Sequence, residues 1–287
     1  MKCAVIDIGS NSVRLLFQSG GKTLYKALNT TRLGEGLAVS GKLSLPAMQR
    51  SALAVQEFKQ RATSDGATQV YVFATAAVRS AENGGEFVMM VEKLAGLKVD
   101  VISGEEEAAI GLLGALGRND GGIIDIGGGS TELTLRQNFS VTYSKSLNVG
   151  AVRLYDLCGR NRQKLQLLIS EKISEYGKVE CSNLPVYGIG GTATSLAALA
   201  LGLKNYDGQK VQDFILTKSA LDELTDKLFK ILPEELVNTS CLPFKRAEII
   251  AGGALLLSSL MQYLDLNSIT ISEKDNLEGY LLKRLSE

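Results

Sequence analysis

The 287-residue chain is predicted to be an α/β protein of two similar domains, and three observations carry that prediction. Apolar runs at 3–8 and 12–18 flank the turn-prone Gly9-Ser10-Asn11, which is the pattern of a β-hairpin. The segment GGIIDIGGGSTELTL repeats strand, glycine turn and strand, and it sets DIGGGS at 125–130 over DIGSNS at 7–12, an offset of 118 residues. After each hairpin, strands and helices follow in similar order, so internal duplication is the economical account. The boundary is expected near Gly117 to Gly121, in the polar stretch Arg118-Asn119-Asp120, giving domains of 1–118 and 119–287. The last helix is expected to pack back on the first domain.

A third strand is expected at 23–31. Helical periodicity then runs through 45–64, an apolar strand through 69–74, a helix near 85–95, a strand at 98–102 and a helix at 105–117. In the second half a strand at 139–146 completes the hairpin layer, helices follow at 150–158 and 161–177, and a strand at 184–189 runs into a small-residue helix. The longest apolar region, Ile249 to Leu264, is interrupted by Gly252, Gly253, Ser258, Ser259 and Gln262 and is short of a bilayer span. A buried helix is the expectation there.

Composition narrows the chemistry. The chain has no His, so it has no Ser-His-Asp or Cys-His nucleophile pair and no HExxH zinc site. Proton transfer near neutral pH falls to a carboxylate, Lys, Tyr or Cys, with a carboxylate favoured because burial and neighbours lift its pKa. With 45% apolar and 22% charged residues the composition is that of an ordinary soluble domain. Thirty-one basic residues balance 31 acidic ones, which argues against nucleic acid or an acidic membrane as partner while leaving a local basic cleft for a polyanion. Cys3, Cys158, Cys181 and Cys241 are scattered without a CxxC pair, so neither a zinc ribbon nor a disulfide framework is suggested. Asp7 comes too early for a signal peptide, and a cytoplasmic location is expected.

Each hairpin's first strand ends in Asp, followed by a tight turn whose backbone N–H groups point outward, a geometry that binds phosphate. Ser10, Ser12, Ser130 and Thr131 add hydroxyl donors around Gly127, Gly128 and Gly129. One DxG turn alone is more often just a hairpin. Two at matching positions can grip a phosphate chain from both sides, with Asp7, Asp125 and Glu132 near enough to hold Mg²⁺ or Mn²⁺ against its oxygens. A third glycine signal, Gly188-Ile189-Gly190-Gly191-Thr192, taken alone is a strand-to-helix packing turn; Gly190 and Gly191 are added to the phosphate-binding candidates. Neither GxxxxGK[ST] nor GxGxxG occurs, which excludes P-loop and dinucleotide chemistry.

In Ser103-Gly104-Glu105-Glu106-Glu107, Ser103 and Glu106 have the spacing of a capping box, and acidic residues in a first turn suit the helix dipole. Glu107 is the acid that the cap does not use, and the helix start can aim it into the cleft as a base for water. Arg79 follows a strand at the edge where α/β proteins bind ligands, and Arg32 and Arg153 adjoin glycine turns. A neutral chain that serves a polyanion needs such locally placed cations.

The segments DIGSNSVRLL, TRLGEGLAVSGKLS, FATAAVRSAEN, VISGEEEA, IIDIGGGSTEL, LNVGAVRL and GIGGTATSLAAL occur in order, and together they resemble the exopolyphosphatase / guanosine pentaphosphate phosphohydrolase (Ppx/GppA) family. The resemblance spans nearly the whole chain. It implies two ribonuclease-H-like domains, of the actin and sugar-kinase kind, facing across a cleft. It also implies Mg²⁺ dependence and removal of terminal phosphate from inorganic polyphosphate or the pentaphosphate alarmone. On the family pattern Glu107 matches the catalytic base, and Asp125 and Glu132 match the metal and water-positioning acids. Ser10, Asn11, Arg79, Gly127, Gly128, Ser130 and Thr131 match phosphate-binding positions.

Two departures stand out. Larger members append a helical C-terminal half, so long-chain processivity is not expected here. Where the family reads like SEGGLREG, this chain has Ser272-Glu273-Lys274-Asp275-Asn276-Leu277-Glu278-Gly279, with Leu277 at the customary Arg position. The expected activity is a polyphosphatase; the alternatives are a pentaphosphate alarmone or nucleoside triphosphate phosphohydrolase, or a nonhydrolytic sensor of these ligands. A homodimer is the expected assembly.

Overall fold

The computed structural model describes residues 1–181 and 184–286. The first half runs β1 (Lys2–Ile8), β2 (Val13–Ser19), β3 (Lys22–Asn29), α1 (Leu37–Ser40), α2 (Leu45–Ser64) and β4 (Gln69–Ala74). It continues with α3 (Ala76–Ser80), α4 (Gly84–Ala95), β5 (Val99–Val101) and α5 (Gly104–Leu116). The second half opens with β6 (Gly121–Ile126), β7 (Thr131–Gln137), β8 (Ser140–Leu147), α6 (Ala151–Cys158), α7 (Arg162–Ser174), β9 (Val186–Ile189) and α8 (Gly190–Ala200). It ends with α9 (Gly208–Val211), β10 (Ile215–Thr217), α10 (Lys218–Lys230), α11 (Pro233–Thr239), α12 (Phe244–Ala247), α13 (Ile250–Tyr263), β11 (Ser268–Ile271) and α14 (Asn276–Ser286).

The duplication is visible in the strand order. The first sheet is β3-β2-β1-β4-β5, and the second repeats it as β8-β7-β6-β9-β11 with β10 added at the edge. In both sheets the hairpin pairs are antiparallel and the next strand, β4 or β9, joins in parallel beside the first. This is the ribonuclease-H-like arrangement, present twice. Parallel central strands covered on both faces need apolar residues on both sides, which is why KCAVIDI and GGIIDI are buried almost throughout.

One apolar core lies against each sheet, and α13, the expected buried helix, fills the second. A third core joins Val5, Leu16 and Phe73 of the first sheet to Ile110, Leu277 and Tyr280, with the Phe73 and Tyr280 rings stacked at 4.6 Å. The helix α5 packs on β6, β7 and β8 of the second sheet, whereas α14 packs on α5 and on β1 and β2 of the first. Among the described residues no helix is long and apolar enough to cross a membrane.

Candidate active site

The two hairpin turns meet. A Cβ built on Gly128 would fall 2.8 Å from the Ser10 Cβ, so the second turn lies directly against the first. Between them is a cavity of about 70 Å³ lined by Asp7, Ser10, Asn11, Ser12, Glu107, Asp125, Gly127, Gly128, Gly129, Ser130, Gly190 and Gly191. The hairpin register sets the acids: Asp7 lies opposite Arg14 across β1 and β2, and Asp125 lies opposite Glu132 across β6 and β7. Gly190, at φ +74, opens α8 beside Asp125; a Cβ there would stand 2.3 Å from Asp125 Oδ1. No side chain fits at that position.

The run of three glutamates divides by placement. Ser103 Oγ accepts from the Glu106 N–H at 3.1 Å and Glu106 Oε2 accepts from the Ser103 N–H at 3.1 Å, closing the capping box. Glu107 is turned inward, 7% exposed, on the cavity wall. Its Oε2 accepts from Arg79 Nη1 at 3.1 Å, and that nitrogen also donates to the Ile102 carbonyl. Burial first and the Glu132 charge second raise the Glu107 pKa well above the usual carboxylate range, and Arg79 opposes them. Asp125 is raised for the same two reasons, and Glu132 is raised by burial against hydrogen bonds from Ser146 and Ser130.

Three of the residues expected at the site do not line the cavity: Arg79, Thr131 and Glu132. Arg79 and Glu132 act on Glu107 instead, one by an ion pair and one by charge. The Thr131 hydroxyl donates to the Val149 carbonyl at 2.5 Å and is buried in the second sheet. Arg32 is paired with Glu248 at 2.7 Å and is not a free cation, while Arg153 Nε donates to the Gly129 carbonyl and braces the glycine turn.

Sequence reasoning missed Arg14, Thr75, Arg246 and Asn276, all on the cavity wall. Arg14 Nε donates to Asp7 Oδ2 at 2.8 Å, and Arg14 Nη1 donates to Asp275 Oδ2. Asn276 Nδ2 donates to Asp125 Oδ2 at 2.9 Å. Arg246 stands where the cavity meets a second pocket of about 340 Å³, and its guanidinium makes no hydrogen bond or ion pair among the described residues. Burial, then the nearby Arg14 charge, push its pKa down to about 10. A half-buried guanidinium with no hydrogen-bond or ion-pair partner among the described residues favours an anion beside it.

Two facing phosphate-type turns on duplicated ribonuclease-H-like domains, with a buried carboxylate of raised pKa between them, define a phosphate-handling protein of the two-domain cleft type. The sequence profile of the Ppx/GppA phosphatase family matches residues 17–287, and the chain belongs to that family. Exopolyphosphatase 2 of Mycobacterium tuberculosis is 28% identical over 98% of this chain and 98% of its own length. The bifunctional 3-dehydroquinate synthase/phosphatase of Fusobacterium nucleatum is also 28% identical, but the chain spans only 46% of it. The guanosine-5'-triphosphate,3'-diphosphate pyrophosphatase of Vibrio cholerae is 28% identical, and the chain spans 59% of it. Among solved structures, an exopolyphosphatase-like protein matches with TM-score 0.91 at 27% identity, covering 99% of this chain and 100% of that one. The Aquifex aeolicus member of the family matches with TM-score 0.80 at 27% identity, covering 100% and 98%.

Proposed function

We propose that this chain removes the terminal phosphate of inorganic polyphosphate in a reaction dependent on Mg²⁺ or Mn²⁺, with Glu107 as the base that takes a proton from the attacking water. The enzyme class, a phosphoanhydride hydrolase, follows from the family and from relatives named as an exopolyphosphatase and a guanosine pentaphosphate pyrophosphatase. The observation that carries the reading is Glu107 itself: a buried carboxylate with raised proton affinity on the wall of a cavity closed by two glycine turns. A base tuned upward from the ordinary carboxylate range is suited to accept a proton near neutral pH. The Gly9 and Gly127 N–H groups close the turns by donating to the Ser12 and Ser130 carbonyls, and the N–H groups of 10–12 and 128–130 would take the phosphate oxygens.

The residues present fit a hard divalent cation. Asp7 Oδ1, Asn11 Oδ1, Glu132 Oε2 and Asn276 Oδ1 are all buried oxygens without a hydrogen-bond donor. Among the described residues no three acidic or cysteine side chains converge on one point, so a Mg²⁺ ion here would have to be held by one or two carboxylates, with waters and substrate phosphate completing its shell. Of the three expected acids, Asp7 and Asp125 line the cavity and would hold it, with Glu132 adding its charge beside Asp125 from outside the lining, and when bound it would neutralise charge developing on the phosphoryl oxygens.

The second reading, hydrolysis of a pentaphosphate alarmone or nucleoside triphosphate, is favoured by the 340 Å³ pocket that opens past Arg246. Its walls include Leu28, Leu242, Pro243, Leu277 and Tyr206, surfaces suited to a nucleoside. The test is phosphate release from polyphosphates of several lengths, pentaphosphate alarmone and ATP, each with and without Mg²⁺. Turnover of polyphosphate with a Mg²⁺ requirement is expected; release from the guanosine substrate alone would transfer the assignment to the second reading. In the same assay Asp125→Asn and Glu132→Gln should each raise the Mg²⁺ concentration for half-maximal rate, and unchanged titrations would remove both from the cation's surroundings.

A further inference from the structure

We propose that Asp275 and Asn276, at the start of α14, are positioning residues that hold the strand-end carboxylates of both hairpins in a single frame. The proposal rests on the reading of Asp7 and Asp125 as cation-side acids. Two consecutive residues reach both halves of the site: Asp275 through Arg14 to Asp7, and Asn276 directly to Asp125 at 2.9 Å. Each link holds one carboxylate oxygen, and on Asp7 the other, Oδ1, is buried without a partner. A carboxylate gripped at one oxygen cannot rotate freely, so the free oxygen keeps its direction toward a ligand.

The start of α14 is itself fixed. A Cβ on Gly114 would lie 1.9 Å from the Asp275 carbonyl oxygen, and one on Gly279 would lie 1.7 Å from the Ile110 carbonyl oxygen, so α14 rests backbone to backbone on α5. The helix α5 carries Glu107. The Leu277 N–H donates to Asp275 Oδ1 at 3.0 Å and the Asp275 N–H to Glu278 Oε2 at 3.1 Å, which closes the first turn. Asp7, Asp125 and Glu107 are thereby referred to one rigid pair of helices.

Asn276 Oδ1 is buried with no donor, a cost that an apolar residue would avoid, so the amide is accounted for by the bond its nitrogen makes to Asp125.

The full chain is tested as Asn276→Leu, which removes the donor, and as Asp275→Asn, which keeps the acceptor of the helix cap but breaks the ion pair with Arg14. In metal-free protein, exchange of the hydrogen-bonded amides at the strand ends should accelerate about tenfold or more at 125–127 in Asn276→Leu and at 7–9 in Asp275→Asn, with α5 and the rest of both sheets unchanged. Unaltered exchange at both strand ends overturns the proposal, whether or not a cation binds. Loss of protection throughout α5 and the sheets also overturns it, because it marks a purely structural role. Mn²⁺ binding followed by electron paramagnetic resonance without substrate should weaken about 10–100-fold in each variant, the usual effect of losing a group that orients a ligand; wild-type affinity in both would contradict the proposal. If the wild type binds no Mn²⁺, the cation reading fails by itself and the exchange rates still decide the positioning role.

Discussion

The two hairpins share one backbone plan and solve their charge problem in opposite ways. The 118-residue offset that superposes Asp7 on Asp125 also superposes Arg14 on Glu132. In the first hairpin the residue facing the strand-end Asp across the ladder is therefore a cation, and in the second it is another acid. Asp7 and Arg14 neutralise each other. Asp125 and Glu132 cannot, and like charges directly opposite on a sheet repel, the more so when both are almost fully buried. A buried like-charge pair persists only if a proton or a cation occupies the same space. The second hairpin thus carries an acidic pair, whereas the first is neutralised within its own ladder and keeps only Asp7 Oδ1 without a partner.

If the charge-deficient half is the working half, the largest effect must come from the base set beside it. Glu107→Gln is expected to lower kcat by about 10²–10⁴-fold, the usual range for loss of a general base, while substrate binding is retained. Single-turnover rates measured beside equilibrium binding check this, and a variant that loses binding but not rate would place Glu107 among the ligands rather than the bases.

Stability should separate the hairpins by sign. Arg14→Gln leaves Asp7 and Asp275 without their shared cation, and breaking a buried pair from one side costs about 3–5 kcal/mol. Glu132→Gln retains an acceptor for the Ser146 hydroxyl and removes a repulsion with Asp125 and Glu107, so the cation-free protein should gain on the order of 1 kcal/mol. Urea unfolding in chelator-treated buffer measures both. Destabilisation of similar size in the two variants would show that the acidic pair is structural and would remove the contrast.

Much of this was legible in the sequence where the pattern is local. The hairpins, the periodic helix at 45–64, the buried helix near 249–264 and the capping box of Ser103 and Glu106 all follow from spacing over a few residues. Arg14 was within reach as well: a ladder that closes at Gly9 to Ser12 puts residue 14 opposite residue 7. Arg246 and Asn276 carried no such signal, since Asn276 meets Asp125 only when α14 folds back over 151 residues of chain. Arg32 misled because a glycine-flanked Arg suggests phosphate, whereas Glu248, far away in sequence, neutralises it. Between 201 and 249, α9, α11, α12 and β10 span three to seven residues each, too short for periodicity to register.

The contrast can be sharpened by pH. Glu107 must be ionised to accept a proton, and burial and the Glu132 charge both raise its pKa, so the acid limb of the rate profile should lie above the ordinary range for Glu. Activity should rise as pH rises through that limb. Glu132→Gln removes the larger of the two charges that raise it, the other being Asp125, and should move the limb to lower pH, at saturating divalent cation. A limb that stays in place would mean that the Glu132 charge does not act on the base and that burial and Asp125 set the Glu107 pKa.

The smallest effect is expected one residue away from the largest. Glu106 points outward, closes the capping box with Ser103 and meets Lys283 at 3.2 Å in an exposed ion pair. Its pKa is lowered, chiefly by the Ser103 N–H, the opposite of what burial does to Glu107. Glu106→Gln keeps an oxygen for the Ser103 N–H and loses only the charge. The change should therefore cost a fraction of the roughly 1 kcal/mol that a cap contributes, with little added from the exposed ion pair. Turnover should stay near wild type, because neither the cavity wall nor either hairpin is touched. Steady-state rates and unfolding midpoints of Glu106→Gln and Glu107→Gln, prepared together, check the pair of outcomes. If Glu106→Gln were the inactive variant, the base would be the residue in the cap, and the orientation of this helix start toward the acidic hairpin would have to be abandoned.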